Sequence, residues 1–269
     1  MRPFIPPAVL ELWRRRRGTH VGLEFTSLAW AEAVALCGSY DNPVILENVE
    51  MATRHARANA RQFERDGRVF DMGEVHWPVL GPLFEARSVL GGVLRVVDVG
   101  GSLASKWFQH AQFHEALAPI AWAVVEQPGL VNVAIPWLQD AQLTFHDTIE
   151  SAAAHLGGID VALFSASLQY FRDPMTALES AASLACHSVI VDRMPSWDRP
   201  EAHLAIQSVG LYSKPVCYPC WVMSEPEVLG MLGRAFETVA RWREPMPMDV
   251  RPAGVGIGWL GVAGIGRRS

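Results

Sequence analysis

Oxygen-bearing side chains recur where apolar runs stop. Asp98 lies near the end of Leu94–Val99, and Gly100 and Gly101 follow at once. Glu126 follows Ala121–Val125, Asp147 follows Leu143–Phe145, Ser165 follows Val161–Phe164, and Asp192 follows Ser188–Val191. A carboxylate at the end of the second run can accept both hydroxyl protons of a ribose. Asp147 suits an adenine amino group or a helix N-cap. The Gly100-Gly101 pair lets the backbone turn tightly and approach a ligand with no Cβ in the way. Ser102 is placed to cap the helix that begins next.

These residues need a scaffold that brings run ends together. Leu94, Val96, Val97 and Val99 form a short β-branched run, as in a strand covered on both faces. From Leu94 onward such runs alternate with helical stretches. Asp147 with Glu150, Asp173-Pro174, and Ser224 with Glu227 read as helix starts. Alternation of this kind predicts parallel strands with right-handed crossovers, and ligands beyond the carboxyl ends of the strands. Late strands are expected near Thr238–Trp242 and Val255–Val262. Residues 1–90 carry no βαβ pattern. They read as a helical cap, with helices from Ser27 to Cys37 and from Asn42-Pro43 through Phe63. Residues 91–269 read as the core, with an insertion at 194–221 over the site.

Composition narrows the classes. The chain has 269 residues, 50% hydrophobic and 19% charged, with net charge −5 and pI about 6.0. That balance disfavours nucleic acid and anionic membranes, which select basic surfaces. The run Arg14–Arg17 reads as a solvated helix face. No apolar stretch is long enough to span a bilayer. Four cysteines do not suggest a disulfide framework, and a cytoplasmic protein with free thiols is expected. Cys217-Tyr-Pro-Cys220 has redox spacing but lacks the strand–motif–helix context and the extra ligands of a zinc site, so no metal is expected.

Several motifs occur in one order: Asp98-Val-Gly-Gly-Ser-Leu103, Val124-Val-Glu-Gln127, Ser165-Ala-Ser-Leu-Gln-Tyr170, Asp192-Arg-Met-Pro195 and Tyr218-Pro-Cys-Trp221. Together they resemble a bacterial family of class I S-adenosylmethionine-dependent methyltransferases of unassigned substrate. Ser27-Leu-Ala-Trp-Ala-Glu-Ala33 and Gly38-Ser-Tyr-Asp41 resemble that family's opening. The chain departs at Ala104, where the family has glycine, and at Met194, where threonine is common.

The resemblance implies a doubly wound, Rossmann-like seven-stranded α/β sheet with an antiparallel last strand. It implies S-adenosylmethionine as cofactor and O- or N-methylation of a small-molecule acceptor. Cofactor contacts are expected from Asp98, Gly100, Gly101, Ser102, Glu126, Gln127, Asp147, Ser165 and Gln169. Candidate bases are His146, Asp192, His203 and Tyr212. Acceptor contacts are expected from Tyr40, Tyr170, Arg193, Gln207, Tyr218 and Trp221. Two alternatives stay open. The altered glycine loop allows a catalytically silent partner subunit, with Ala104 crowding the cofactor. A nicotinamide oxidoreductase is disfavoured because G-x-G-x-x-G is missing.

Overall fold

The computed structural model describes residues 21–267 apart from 60, 72, 211, 213 and 245–248. Arg14–Arg17 lie outside the described residues. Five strands form the parallel centre of the sheet: β4 (Leu94–Val99), β5 (Ile120–Val125), β6 (Leu143–His146), β7 (Val161–Ser165) and β8 (Ser188–Trp197). They stack in the order β6-β5-β4-β7-β8. On β8 lies β13 (Gly258–Gly266), antiparallel, and on β13 lies β11 (Phe236–Glu244), also antiparallel to it. The strand order reverses between β4 and β7, since β5 and β6 go to one side of β4 while β7 and β8 go to the other.

Apolar residues dominate these strands because helices cover both faces. One core holds Leu94, Val96, Trp122, Val124 and Leu163, and the opposite one Val97, Val99, Ala123, Phe164 and Val191. Arg95 ties β4 to the start of β7. Its Nε and Nη2 donate to the two oxygens of Asp160 at 3.0 and 2.6 Å.

The N-terminal part differs from the expected helical cap. Strand β1 (Val21–Phe25) opens it, followed by α1 (Trp30–Cys37) and α2 (Pro43–Arg57). Then come the hairpin β2 (Gln62–Arg65) and β3 (Arg68–Asp71), and helix α3 (Trp77–Val89). Phe63 belongs to the hairpin, not to α2. The turn residues Asp66 and Gly67 have φ of 54° and 70°. Positive φ at both central positions is what a two-residue type I′ turn requires, and Asp-Gly is among its favoured pairs. Ile45, Val49, Phe63, Val79 and Leu83 pack into the same core as Leu94 and Trp122.

Within 194–221, expected as an insertion over the site, most residues are in strands that extend the sheet. Strand β8 runs on past Asp192 to Trp197, and β9 (His203–Val209) and β10 (Val216–Ser224) form an antiparallel pair. β10 joins β8 at Ser196–Trp197, and β9 carries β1 and then β12 (Asp249–Arg251). Among the described residues the sheet therefore has eleven strands. Two expected caps move as well. Thr148, not Asp147, caps α5 (Ile149–Leu156) by accepting from the Ser151 amide at 3.0 Å. The helix after the glycine turn, α4 (Ser105–Gln109), has five residues and no side-chain cap, so Ser102 does not cap it.

Candidate functional site

The ends of β4, β5, β6, β7 and β8 open into one cleft of about 380 Å³ at the order reversal. That volume suits a small molecule. Asp98, Gly100, Gly101, Ser102, Glu126, Gln127, Asp147 and Ser165 all line it, with Tyr40, Tyr170 and Arg193.

The glycine turn is built around Asp98. A Cβ on Gly101 would lie 2.6 Å from the Asp98 carboxyl, and one on Gly100 would lie 2.3 Å from Ser167 Cβ. Both positions therefore need glycine, and Gly100 also has φ +71°. Asp98 Oδ2 accepts from Trp122 Nε1 at 3.3 Å, while Oδ1 is buried without a partner. Burial pushes the Asp98 carboxyl up to about 7, against the pull of Lys106 and the Trp122 hydrogen bond.

Glu126 faces the same turn. Its Oε1 accepts from the Ser102 amide at 3.1 Å and its Oε2 from the Gln127 amide at 2.8 Å. Withdrawal from solvent raises it to about 7 despite those two hydrogen bonds. The chain thus presents two carboxyl groups, one with an unspent acceptor, on either side of a glycine turn. Asp147, freed from capping, stands at the third strand end. This set of acceptors suits a ligand with an ammonium group, vicinal hydroxyls and an adenine amine. A nucleoside–amino-acid cofactor of the S-adenosylmethionine type fits it.

The hairpin closes the other side. Glu64 is buried, and accepts from Ser105 Oγ and from the Gly67 amide, each at 2.7 Å. Burial raises Glu64 to about 7. This link fixes the turn so that Arg65 and Asp66 line the cleft. Ser105, Lys106 and Gln109 come from α4, and Phe171 and Arg172 from the segment after β7. The sequence reading missed these residues. The Asp66-Gly67 hairpin signature between Phe63 and Phe70 could have found the first two.

Other expected site residues fall elsewhere. His146 bonds Thr144 Oγ1 at 3.0 Å and packs on the His155 ring, outside the cleft lining. His203 packs on Phe25 and Trp197. Trp221 stacks on Trp30. Gln169 is fully buried and does not reach the cleft lining. Tyr218 lies behind the wall, with its ring edge-on to Tyr40 and Tyr170. Gln207 links the phenols: its Oε1 accepts from Tyr170 Oη at 3.0 Å, and its Nε2 donates to Tyr218 Oη at 3.3 Å. Tyr212 lies under the hairpin against Gly67 and hydrogen-bonds Tyr40. Burial raises the Tyr40, Tyr170, Tyr212 and Tyr218 phenols above the ordinary tyrosine value.

Asp192 is buried behind the cleft and does not line it. It accepts from His76 Nε2 at 2.9 Å, Trp242 Nε1 at 3.3 Å and Ser165 Oγ at 2.6 Å. Although burial opposes ionisation, Lys106, His76 and Arg193 hold this carboxyl well below the usual range, so it is a fixed anion and not a base. Ala104 lies in the left-handed region at φ 64°, and its methyl is buried in the core rather than in the cleft. Among the described residues no helix is long and apolar enough to cross a membrane.

No family model matches the chain, and no curated protein matches it. Solved structures do. The N-terminal domain of EvdMO1, crystallised with SAH and D-fucose, is 14% identical over 82% of this chain and 97% of its own, with a TM-score of 0.48. CalS10 from Micromonospora echinaspora, an amino pentose methyltransferase with SAM bound, is 13% identical over 72% of this chain and 93% of its own, at 0.42. The N-methyltransferase NodS from Bradyrhizobium japonicum, with SAH, is 13% identical over 84% of this chain and its whole length, at 0.44.

Proposed function

We propose that the chain is an S-adenosylmethionine-dependent methyltransferase acting on the oxygen or nitrogen of a small-molecule acceptor. One observation carries this reading: the glycine turn after β4 and Glu126 after β5 share a cleft at the strand-order reversal of a sheet ordered β6-β5-β4-β7-β8-β13-β11, with β13 antiparallel. A ligand of this class binds at such a switch point. The further strands β10, β9, β1 and β12 widen that sheet without lining the cleft.

When bound, the sulfonium cofactor supplies an electrophilic methyl group. Asp98 Oδ1 would accept from its ammonium, Glu126 from the ribose hydroxyls, and Asp147 from the adenine amine. Tyr40, Tyr170 and Arg193 would position the acceptor, with Arg65 and Asp66 of the hairpin limiting water. Holding a nucleophile in line with the methyl is catalysis by orientation and needs no base where the nucleophile arrives unprotonated. His146 and His203, outside the cleft, are withdrawn as bases.

The alternative of a silent subunit rested on Ala104 crowding the cofactor. Its methyl is in the core, so that motive falls away. The direct test is calorimetry with S-adenosylhomocysteine. Glu126→Ala should cost about 1.5–3 kcal/mol, the range for a lost charged hydrogen bond. Unchanged affinity in a folded variant removes Glu126 from the site.

A further inference from the structure

Two cations on the hairpin side of the cleft are ion-paired yet keep unspent hydrogen-bond donors. Lys106 is 4% exposed and lines the cleft. Its Nζ donates one hydrogen bond, to Gln109 Oε1 at 3.2 Å. Asp192 Oδ2 is 3.7 Å away, an ion pair beyond hydrogen-bond range. Arg193 Nε is withdrawn from solvent with no hydrogen-bond partner, and its distance to the same oxygen is 3.8 Å. The guanidinium donates from Nη1 to Asp66 Oδ2 at 3.3 Å, on an exposed side chain.

Three other donors, His76, Trp242 and Ser165, already hydrogen-bond Asp192. Lys106 and Arg193 Nε thus flank Asp192 Oδ2 at 3.7 and 3.8 Å, both beyond hydrogen-bond range. Buried charged donors without partners are costly, and a ligand oxygen is the natural remedy. Arg193 is also held at φ 51°, in the left-handed region that non-glycine residues adopt at a cost. That backbone fixes where its planar fork stands. A third cation, Arg65, lines the cleft from the hairpin and pairs there with the exposed Glu74 at 3.3 Å.

We infer that the methyl acceptor carries an oxyanion, a carboxylate or a phosphate monoester, received by Lys106 and Arg193 with Arg65 at the rim. This inference rests on the methyltransferase reading for the word acceptor, though not for the oxyanion site itself. A fork that binds two oxygens suits both anions, and a buried ammonium adds a point charge. Burial lowers the Lys106 ammonium to about 8, and an entering anion would raise it again.

The test titrates inorganic phosphate and benzoate, separately, into the full chain saturated with S-adenosylhomocysteine, with calorimetric readout. At least one probe should bind at millimolar concentration. Lys106→Met and Arg193→Lys should each weaken it by about tenfold or more, the second because it keeps the charge and loses the fork. Tighter phosphate than benzoate assigns a phosphorylated acceptor, and the reverse a carboxylic acid. Absence of binding by both probes, or equal binding in folded variants, overturns the inference. If S-adenosylhomocysteine itself fails to bind while a probe binds in a Lys106- and Arg193-dependent way, the cofactor reading falls and the oxyanion site stands.

Discussion

The two raised carboxyl groups make cofactor affinity depend on pH in a direction that can be worked out. Asp98 and Glu126 each ionise near 7 in the free protein because they are withdrawn from solvent. Accepting from an ammonium or from two hydroxyls requires the ionised form, so binding must expel whatever protons they hold. A group with pKa about 7 is about one-tenth ionised at about pH 6 and about nine-tenths at about pH 8. Each group therefore contributes about a tenfold gain in affinity across that interval, about 1.4 kcal/mol, and the pair about a hundredfold. Calorimetry with S-adenosylhomocysteine at both pH values, in buffers of different ionisation enthalpy, reads affinity and proton release together. Glu126→Gln removes one titrating group and should cut the rise to about tenfold. A flat profile, or affinity that falls as pH rises, refutes the assignment of these two carboxylates to the cofactor.

Other outcomes follow from the same geometry. Gly101→Ala places a Cβ 2.6 Å from the Asp98 carboxyl and should lower S-adenosylhomocysteine affinity at least about tenfold in a folded protein; a normal titration would show that Asp98 moves freely. Ala104→Gly should leave that affinity within about twofold, because the methyl is in the core; clear tightening would restore the crowded-loop idea. Tyr218→Phe should cost about 0.5–1.5 kcal/mol of stability in chemical unfolding, through one lost hydrogen bond. It should spare cofactor affinity, and loss of that affinity would put the phenol in the site. In the ligand-free protein Glu64, Asp98 and Glu126 have folded pKa values above their unfolded ones, so their stabilising contribution is full below about pH 4 and is lost as pH rises through about 7. Thermal midpoints that climb steadily from about pH 5 to about pH 7 would contradict that burial.

The strand ends were legible because a buried parallel strand announces itself as a short β-branched run, and the residue after it must reach the ligand edge. That logic brought Asp98, Glu126, Asp147 and Ser165 to one cleft. It erred on His146, one residue before Asp147. Consecutive strand residues face opposite ways, and His146 shares a side with Thr144. Within 194–221, expected as an insertion over the site, Leu204–Val209 and Val216–Ser224 carry strand composition. Tyr218, expected at the acceptor, is set by its pairing with β9 behind Tyr40 and Tyr170. Arg193 is among the expected acceptor contacts; Lys106 is not, because its charge matters only once its burial beside Asp192 is seen.

A crystal structure of the chain with S-adenosylhomocysteine tests the central claim most directly. The account requires the ribose hydroxyls on Glu126, the amino group on Asp98, and the sulfur facing the end lined by Tyr170, Lys106 and Arg193. A nucleoside bound elsewhere, or a cleft still empty at saturating ligand, would contradict it.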